Sequence, residues 1–289
     1  MAVTVDDLPT ASVVQQTPDA AARLTADLLS ALKRHHVPAI GFVNEGKLHV
    51  GGARDSGRVA LLQQWIAAGL ELGNHTYSHA DLHQVPASSY IAEIERGEIV
   101  TRELLRSAGR TPRFFRHPYL RTGRDAVTRA RVHEFLERKG YRVAPVSIDN
   151  SDYVFAAAFD RLSAAGDADG AQKVRAEYVD YMDAVAAYYE QQSERIVGRE
   201  IRQILLMHAN ALNAASFDAL AQRYQARGYR FITLDRALED DAYRMKDEYF
   251  GPAGVTWLHR WALTQKQPAS TYAGEPDVPA WITRASEAR

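Results

Sequence analysis

Leu70-Glu71-Leu72-Gly73-Asn74-His75-Thr76-Tyr77-Ser78-His79 is the stretch from which the chain is best read. Leu70 to Asn74 has the length and apolar character of a short strand, and two histidines follow it at once. The same pattern of strand, then polar residue, then helix recurs outward in both directions. Strands are predicted at Val3 to Val5, Pro38 to Val43, Leu70 to Asn74, Arg113 to Arg116, Tyr141 to Ile148, Ile204 to Met207 and Tyr229 to Thr233. Amphipathic helical stretches separate them: Thr17 to about His35, with Thr17 as N-cap and Pro18 in the first turn, then Val59 to Ala68, Ser88 to Ala108, Arg124 to Lys139 and Phe217 to Ala226. Strands alternating with helices specify an α/β protein with a parallel sheet. The expected architecture is a (β/α) barrel with seven strands, distorted or incomplete, with an open doubly wound sheet as the alternative. Residues 1–240 form the predicted barrel, with a helical insertion at about 154–200 beside its mouth. Residues 241–289, rich in proline, are expected to be a tail packed on the barrel.

Composition narrows the chemistry. The chain has 289 residues, 46% hydrophobic, enough for a large core. Its 35 Lys and Arg against 36 Asp and Glu leave a net charge of −1, which argues against a nucleic-acid partner, since such binding rests on clustered positive charge. Cysteine is absent, so disulfides, thiolate metal sites and cysteine nucleophiles are excluded, and any metal must be held by His, Asp, Glu or water. No apolar run reaches the roughly 18–20 residues of a membrane span. The segment Gly41 to Lys47 approaches a phosphate-binding loop, but Leu48 stands where a Ser or Thr must hold Mg²⁺. His133-Glu134 opens like a zinc-protease helix, but Glu137 replaces the second His.

The strand ends carry the chemistry. Asp6 and Asp7 end the first strand, His75 and His79 follow the third, Arg116 and Tyr119 the fourth, Asp149 and Asp152 the fifth, and His208 the sixth. In barrels of parallel strands, active sites assemble at the C-terminal ends of the strands. The spacing of His75 and His79 puts both rings on one side if the segment makes a helical turn. Two His and a carboxylate form a hydrolytic metal site that leaves a position for water. Adjacent carboxylates at a buried strand end repel one another unless a cation or an Arg compensates them.

This ordered set resembles the polysaccharide deacetylase family, the family-four carbohydrate esterases. The resemblance covers about residues 2–240, with all five motifs in order. It implies that Asp7, His75 and His79 bind a divalent metal, usually zinc, and that Asp6 is the general base, oriented by Arg116. It further implies that the backbone amide of Tyr119 holds the oxyanion, and that His208 is the general acid, tuned by Asp149 or Asp152. The implied reaction removes the N-acetyl group from an N-acetylated sugar or oligosaccharide and releases acetate. Three loops depart from the family pattern: Leu8-Pro9 follows Asp7, Leu120 follows Tyr119, and Tyr153 stands where a Trp is usual. These departures concern the substrate pocket and support an alternative, a metal hydrolase of the same fold acting on a small non-sugar amide, imide or acetyl ester. A non-enzymatic carbohydrate-binding relic is disfavoured, because the metal ligands and the base are all present. The resemblance implies a periplasmic or extracellular location if a leader is removed; the oligomeric state stays open. His117 is expected to line the pocket or to pack. The aromatic stripe Tyr178, Tyr181, Tyr188 and Tyr189 reads as core.

Overall fold

The computed structural model describes residues 1–287. Eight strands and eleven α-helices are present among them. The first half runs β1 (Ala2–Leu8), α1 (Pro18–Arg34), β2 (Ile40–Val43), a small hairpin of β3 (His49–Val50) and β4 (Ala53–Arg54), α2 (Ser56–Ala67), β5 (Glu71–Asn74), α3 (Ala87–Arg96), α4 (Ile99–Ser107) and β6 (Phe114–Phe115). The second half runs α5 (Ala126–Arg138), β7 (Arg142–Val143), α6 (Asp152–Ala164), α7 (Ala168–Val197), β8 (Ile204–His208), α8 (Ala211–Ala226), α9 (Leu234–Ala237), α10 (Trp257–Thr264) and α11 (Ala280–Glu287).

Six of the strands form one sheet in the order β7-β6-β5-β2-β1-β8, every pair parallel. The chain leaving β7 carries the sheet round on itself. Ile148 bridges Leu205 of β8, with Leu206 N–H donating to Ile148 O at 3.0 Å. The segment that begins on one edge of the sheet therefore ends against the other. The result is an α/β fold, a curled and incomplete (β/α) barrel with helices around it.

Four local expectations change. Tyr229 to Thr233 does not join the ladder; it makes only two backbone bonds to Met1, from Met1 N to Arg230 O at 2.8 Å and from Ile232 N to Met1 O at 2.9 Å, so the sheet has six strands rather than seven. Tyr141 to Ile148 is not one continuous strand: only Arg142–Val143 pairs with β6 before the chain crosses to β8. The stretch Ser88 to Ala108 is two helices. A Cβ on Gly97 would lie 2.7 Å from the Thr76 carbonyl carbon and 2.8 Å from Tyr77 N, so the glycine lets the helix end against the histidine loop. Glu45 then restarts it as α4, accepting from Val100 N at 2.9 Å and Thr101 N at 2.6 Å. The His75–His79 segment is not a helical turn but an irregular loop, with Thr76 at φ 64° and His79 at φ 59°.

The core lies between the sheet and its helices. Helix α1 buries Leu24, Leu28, Leu29 and Leu32 on one face and packs on α8, while Thr17 caps it through Ala20 N. The 30-residue α7 packs on α6, α8 and α10, and Tyr178, Tyr181, Tyr188 and Tyr189 are buried in that packing. Helix α10 places Trp261 fully inside, and Trp257 N bonds Val146 O at 2.7 Å, which ties the C-terminal segment to the chain that closes the sheet.

Candidate active site

The parallel register positions the key side chains before any of them interacts. Asp6 of β1 stands opposite His208 of β8. Val43 stands opposite Asn74, and Asn74 opposite Phe115, so His75 and Arg116 leave neighbouring strands at the same level. All of these residues sit at the C-terminal ends of the strands, where the sheet opens into a cavity of about 1000 Å³.

Asp7, His75 and His79 converge there, with one donor atom from each lying within 4.8 Å of the others. Asp7 Oδ1 is 3.8 Å from His75 Nε2 and 3.6 Å from His79 Nε2. His75 Nδ1 donates to the Arg116 carbonyl at 2.8 Å, which fixes the tautomer and leaves a lone pair on Nε2. Burial lowers both imidazoles to about 4, so they are neutral at physiological pH. Asp7 is held below the usual carboxylate range: burial pushes it up, but Lys47 and the surrounding histidines outweigh that. Oδ1 of Asp7 is buried and accepts no hydrogen bond. An unsatisfied buried oxygen beside the free Nε2 lone pair of His75 and the neutral ring of His79 fits a divalent cation, and a set of nitrogen and oxygen donors suits zinc and its first-row neighbours. His79→Ala is expected to weaken zinc binding by about 100-fold or more, a change of roughly 2.7 kcal/mol that titration calorimetry reads directly.

The geometry of this cluster is built from unusual backbone. Asp7, Thr76, His79, Tyr119 and Leu120 all have positive φ although none is glycine. Tyr77 anchors the histidine loop by donating to Glu93 O at 3.0 Å and accepting from Gly46 N at 2.8 Å.

Asp6 is 2% exposed, and its Oδ2 lies 3.5 Å from Arg116 NH1. The guanidinium is fully buried, bonded to Thr4 Oγ1 at 2.9 Å and seated 4.8 Å from the centre of the Phe42 ring. Burial raises the Asp6 pKa, with Arg116 and His208 opposing.

On the other side of Asp6, His208 Nδ1 lies 2.6 Å from Asp152 Oδ1. Asp152 Oδ2 accepts from His208 N at 2.8 Å and from Asn213 Nδ2 at 2.7 Å, so the carboxylate is fixed on both oxygens. Burial pulls His208 down, but the charge and hydrogen bond of Asp152, with Asp7 and Asp6 behind, raise it to about 10. Of the two acids left open by sequence, Asp152 is the one bonded to His208. Asp149 lines the cavity, accepts from Asn150 N at 2.9 Å and is raised to about 6, chiefly by burial.

Tyr119 lies at the cavity mouth with its ring edge against His79, centroids 4.5 Å apart. A Cβ on Gly254 would fall 1.7 Å from Tyr119 O, so the C-terminal segment presses directly on this turn. Gly254→Ala is therefore expected to displace Tyr119 and lower kcat about tenfold, seen in steady-state kinetics beside an unchanged circular-dichroism spectrum. His117 lines the cavity and is also packed: it is 1% exposed, and its Nδ1 lies 3.0 Å from Tyr90 OH.

Sequence reading missed several contributors. Lys47, set aside with the failed phosphate loop, lies 3.4 Å from Asp7 Oδ2 and donates to Asp7 O at 3.0 Å. Asn213 holds Asp152 from one turn inside α8, and Thr4 holds Arg116 from within β1. Polar residues in otherwise apolar elements were the available signal. Residues of α6, Tyr181 of α7 and residues 275–278 also line the cavity.

The polysaccharide deacetylase family model matches residues 1–138. A chitin deacetylase of Colletotrichum lindemuthianum is 29% identical over 132 residues, 45% of this chain and 48% of that protein. A chitin deacetylase of Pestalotiopsis sp is 30% identical over 129 residues, 45% of this chain and 39% of that protein. The chain thus matches less than half the length of either curated relative. In three dimensions it superposes on the solved chitin deacetylase of Colletotrichum lindemuthianum with a TM-score of 0.54 at 22% identity, covering 82% of this chain and 85% of that one, a likeness of fold. Over its first 138 residues, just under half of its length, the chain is thus similar in sequence to the polysaccharide deacetylase family.

Proposed function

We propose that this chain is a metal-dependent hydrolase that removes the N-acetyl group from an N-acetylated sugar or short oligosaccharide and releases acetate. The observation that carries this reading is the convergence of three units in one cavity: the Asp7–His75–His79 donor set, the Arg116-paired Asp6 and the Asp152-backed His208. Asp7, His75 and His79 would hold the metal. When bound, a divalent ion such as zinc polarises the acyl carbonyl and lowers the pKa of water from about 15.7 towards about 7.

The protein groups supply the proton transfers. Asp6 takes a proton from the attacking water, a role suited to a carboxylate whose pKa burial has raised. Arg116 fixes the direction of that carboxylate. The oxygen of water bonds to the acyl carbon, and the carbon–nitrogen bond breaks. His208, protonated up to about pH 10, gives its proton to the departing nitrogen. The products are acetate and a free amine, so atoms and charge balance. The Tyr119 backbone amide is assigned to the developing oxyanion, where one such donor contributes about 10²–10³ in rate. Asp152 is a positioning residue that holds His208 in its charged form, and Asp149 faces the substrate space.

The alternative substrate, a small non-sugar amide, imide or ester, is favoured by one feature: residues of α6 and residues 275–278 help to line the cavity and narrow the space left for a polymer. No helix of the described residues is long and apolar enough to cross a membrane; action outside the cytoplasm, where acetylated polymers are met, is part of the proposal. The test is acetate release by zinc-loaded protein from short N-acetylglucosamine oligomers beside a panel of small acetyl amides and esters. Release from the oligomers supports the sugar reading. Release confined to the small compounds overturns it in favour of the alternative.

A further inference from the structure

The turn that carries the Tyr119 amide is built from residues that do not favour its shape. Tyr119 and Leu120 are consecutive and both left-handed, at φ 56° and φ 53°, although each carries a Cβ. Such backbone persists only where its surroundings hold it. The sheet fixes the start of the turn, since Arg116 N donates to Asn74 O at 3.0 Å. Arg121 pairs with Asp81 and so ties the turn to the chain just past His79. The far end, Thr122, is held from outside residues 1–138. Arg260 of α10 is 1% exposed, and its NH2 donates to Thr122 Oγ1 at 2.7 Å. The same guanidinium donates through Nε to Asp247 Oδ2 at 2.7 Å and through NH2 to Tyr249 O at 3.2 Å. Arg129 of α5 secures that loop a second time, donating to Asp247 O at 2.9 Å and to Tyr249 O. Further along, Gly254 brings its backbone against Tyr119 O, where a Cβ would lie at 1.7 Å. A buried guanidinium with partners on both sides acts as a strut, because its planar fork fixes the distance between the groups it joins.

We infer that Arg260 is a positioning residue for the Tyr119 amide, so that residues 247–260 complete the active site although they lie outside the part of the chain that the family model matches. The oxyanion role of Tyr119 rests on the deacetylase reading; the strut is a separate observation. Arg260 acts through Thr122 on where the amide points, and a misplacement of about 1 Å at a reacting centre costs up to about 100-fold in rate.

Thr122 gives the cleanest test, because its hydroxyl can be removed at nearly constant shape. Thr122→Val deletes the acceptor for Arg260, and Thr122→Ser keeps it. The full-length, zinc-loaded proteins are compared in two ways. Hydrogen exchange read by mass spectrometry on the peptide around residues 117–123 is expected to be about tenfold faster in Thr122→Val and unchanged in Thr122→Ser. Acetate release is expected to show kcat lowered about tenfold in Thr122→Val and restored in Thr122→Ser, with KM and zinc affinity within about twofold of wild type in both. Arg260→Lys, which keeps the charge but not the fork, is expected to behave as Thr122→Val does. Wild-type exchange or wild-type kcat in Thr122→Val overturns the inference, as does an equal loss in Thr122→Ser or faster exchange that spreads through β1 and β8. Wild-type protein that releases no acetate overturns the deacetylase reading instead, while the exchange comparison still decides whether Arg260 holds the turn.

Discussion

Asp6→Asn is expected to lower kcat for acetate release by about 10³-fold while KM changes little, within the range that a general base contributes. The substitution keeps the size of the side chain and leaves an oxygen for Arg116, but an amide cannot accept the proton of water at neutral pH. Its surroundings make the effect large. Arg116 is buried and held by Thr4 and Phe42, so it cannot swing to recruit another carboxylate. Asp7 cannot take over the role, because Lys47 and the nearby histidines keep it ionised and far below the range of a useful base. Steady-state kinetics on wild type and variant, each shown by calorimetry to bind zinc, check this. A variant that keeps a tenth or more of wild-type kcat removes Asp6 from the reaction.

Asp152→Asn is expected to lower kcat about 100-fold at pH 8 and to move the alkaline limb of the pH profile downward. The sign follows from which form of His208 acts. The protonated imidazole gives up the proton, so activity is present below the His208 pKa and lost as pH rises through it. In the wild-type protein that value is raised to about 10, against the opposing effect of burial, by the charge and hydrogen bond of Asp152. Without the charge, burial pulls the imidazole towards or below its ordinary value of about 6.5, so at pH 8 little of it remains charged. Asp149→Asn serves as the comparison: Asp149 makes no hydrogen bond to His208, and the limb is expected to move less. A limb that stays in place in Asp152→Asn, or moves equally in both variants, contradicts the assignment of Asp152.

Much of this site is legible in the sequence because parallel strands deliver their final residues to one face. Asp6, His75, Arg116 and His208 each close or follow a short apolar run, and the register of β1 on β8 sets the first opposite the last. What was not legible depends on contacts between distant segments. Gly97 sits within an amphipathic pattern that runs on through residue 108; only its approach to the Thr76–Tyr77 backbone explains why the helix breaks there. The spacing of His75 and His79 matches one face of a helical turn, but left-handed residues in an anchored loop bring the two rings together. Tyr229 to Thr233 has the composition of a strand, yet its backbone meets the first strand only at Met1. Glu275 and Asp277 lie in a proline-rich stretch with no periodicity to place them, and only tertiary packing brings them to the cavity.

The central claim is that the three units at the strand ends hydrolyse an N-acetyl group with the help of a metal held by Asp7, His75 and His79. The most direct measurement is simultaneous quantification of acetate and free amine from a short N-acetylglucosamine oligomer, with metal-stripped protein and with the same protein reloaded with zinc. The account predicts one acetate per amine from the reloaded protein and neither product from the stripped protein. Turnover that is equal in the stripped and reloaded samples, or acetate formed without amine, would contradict it.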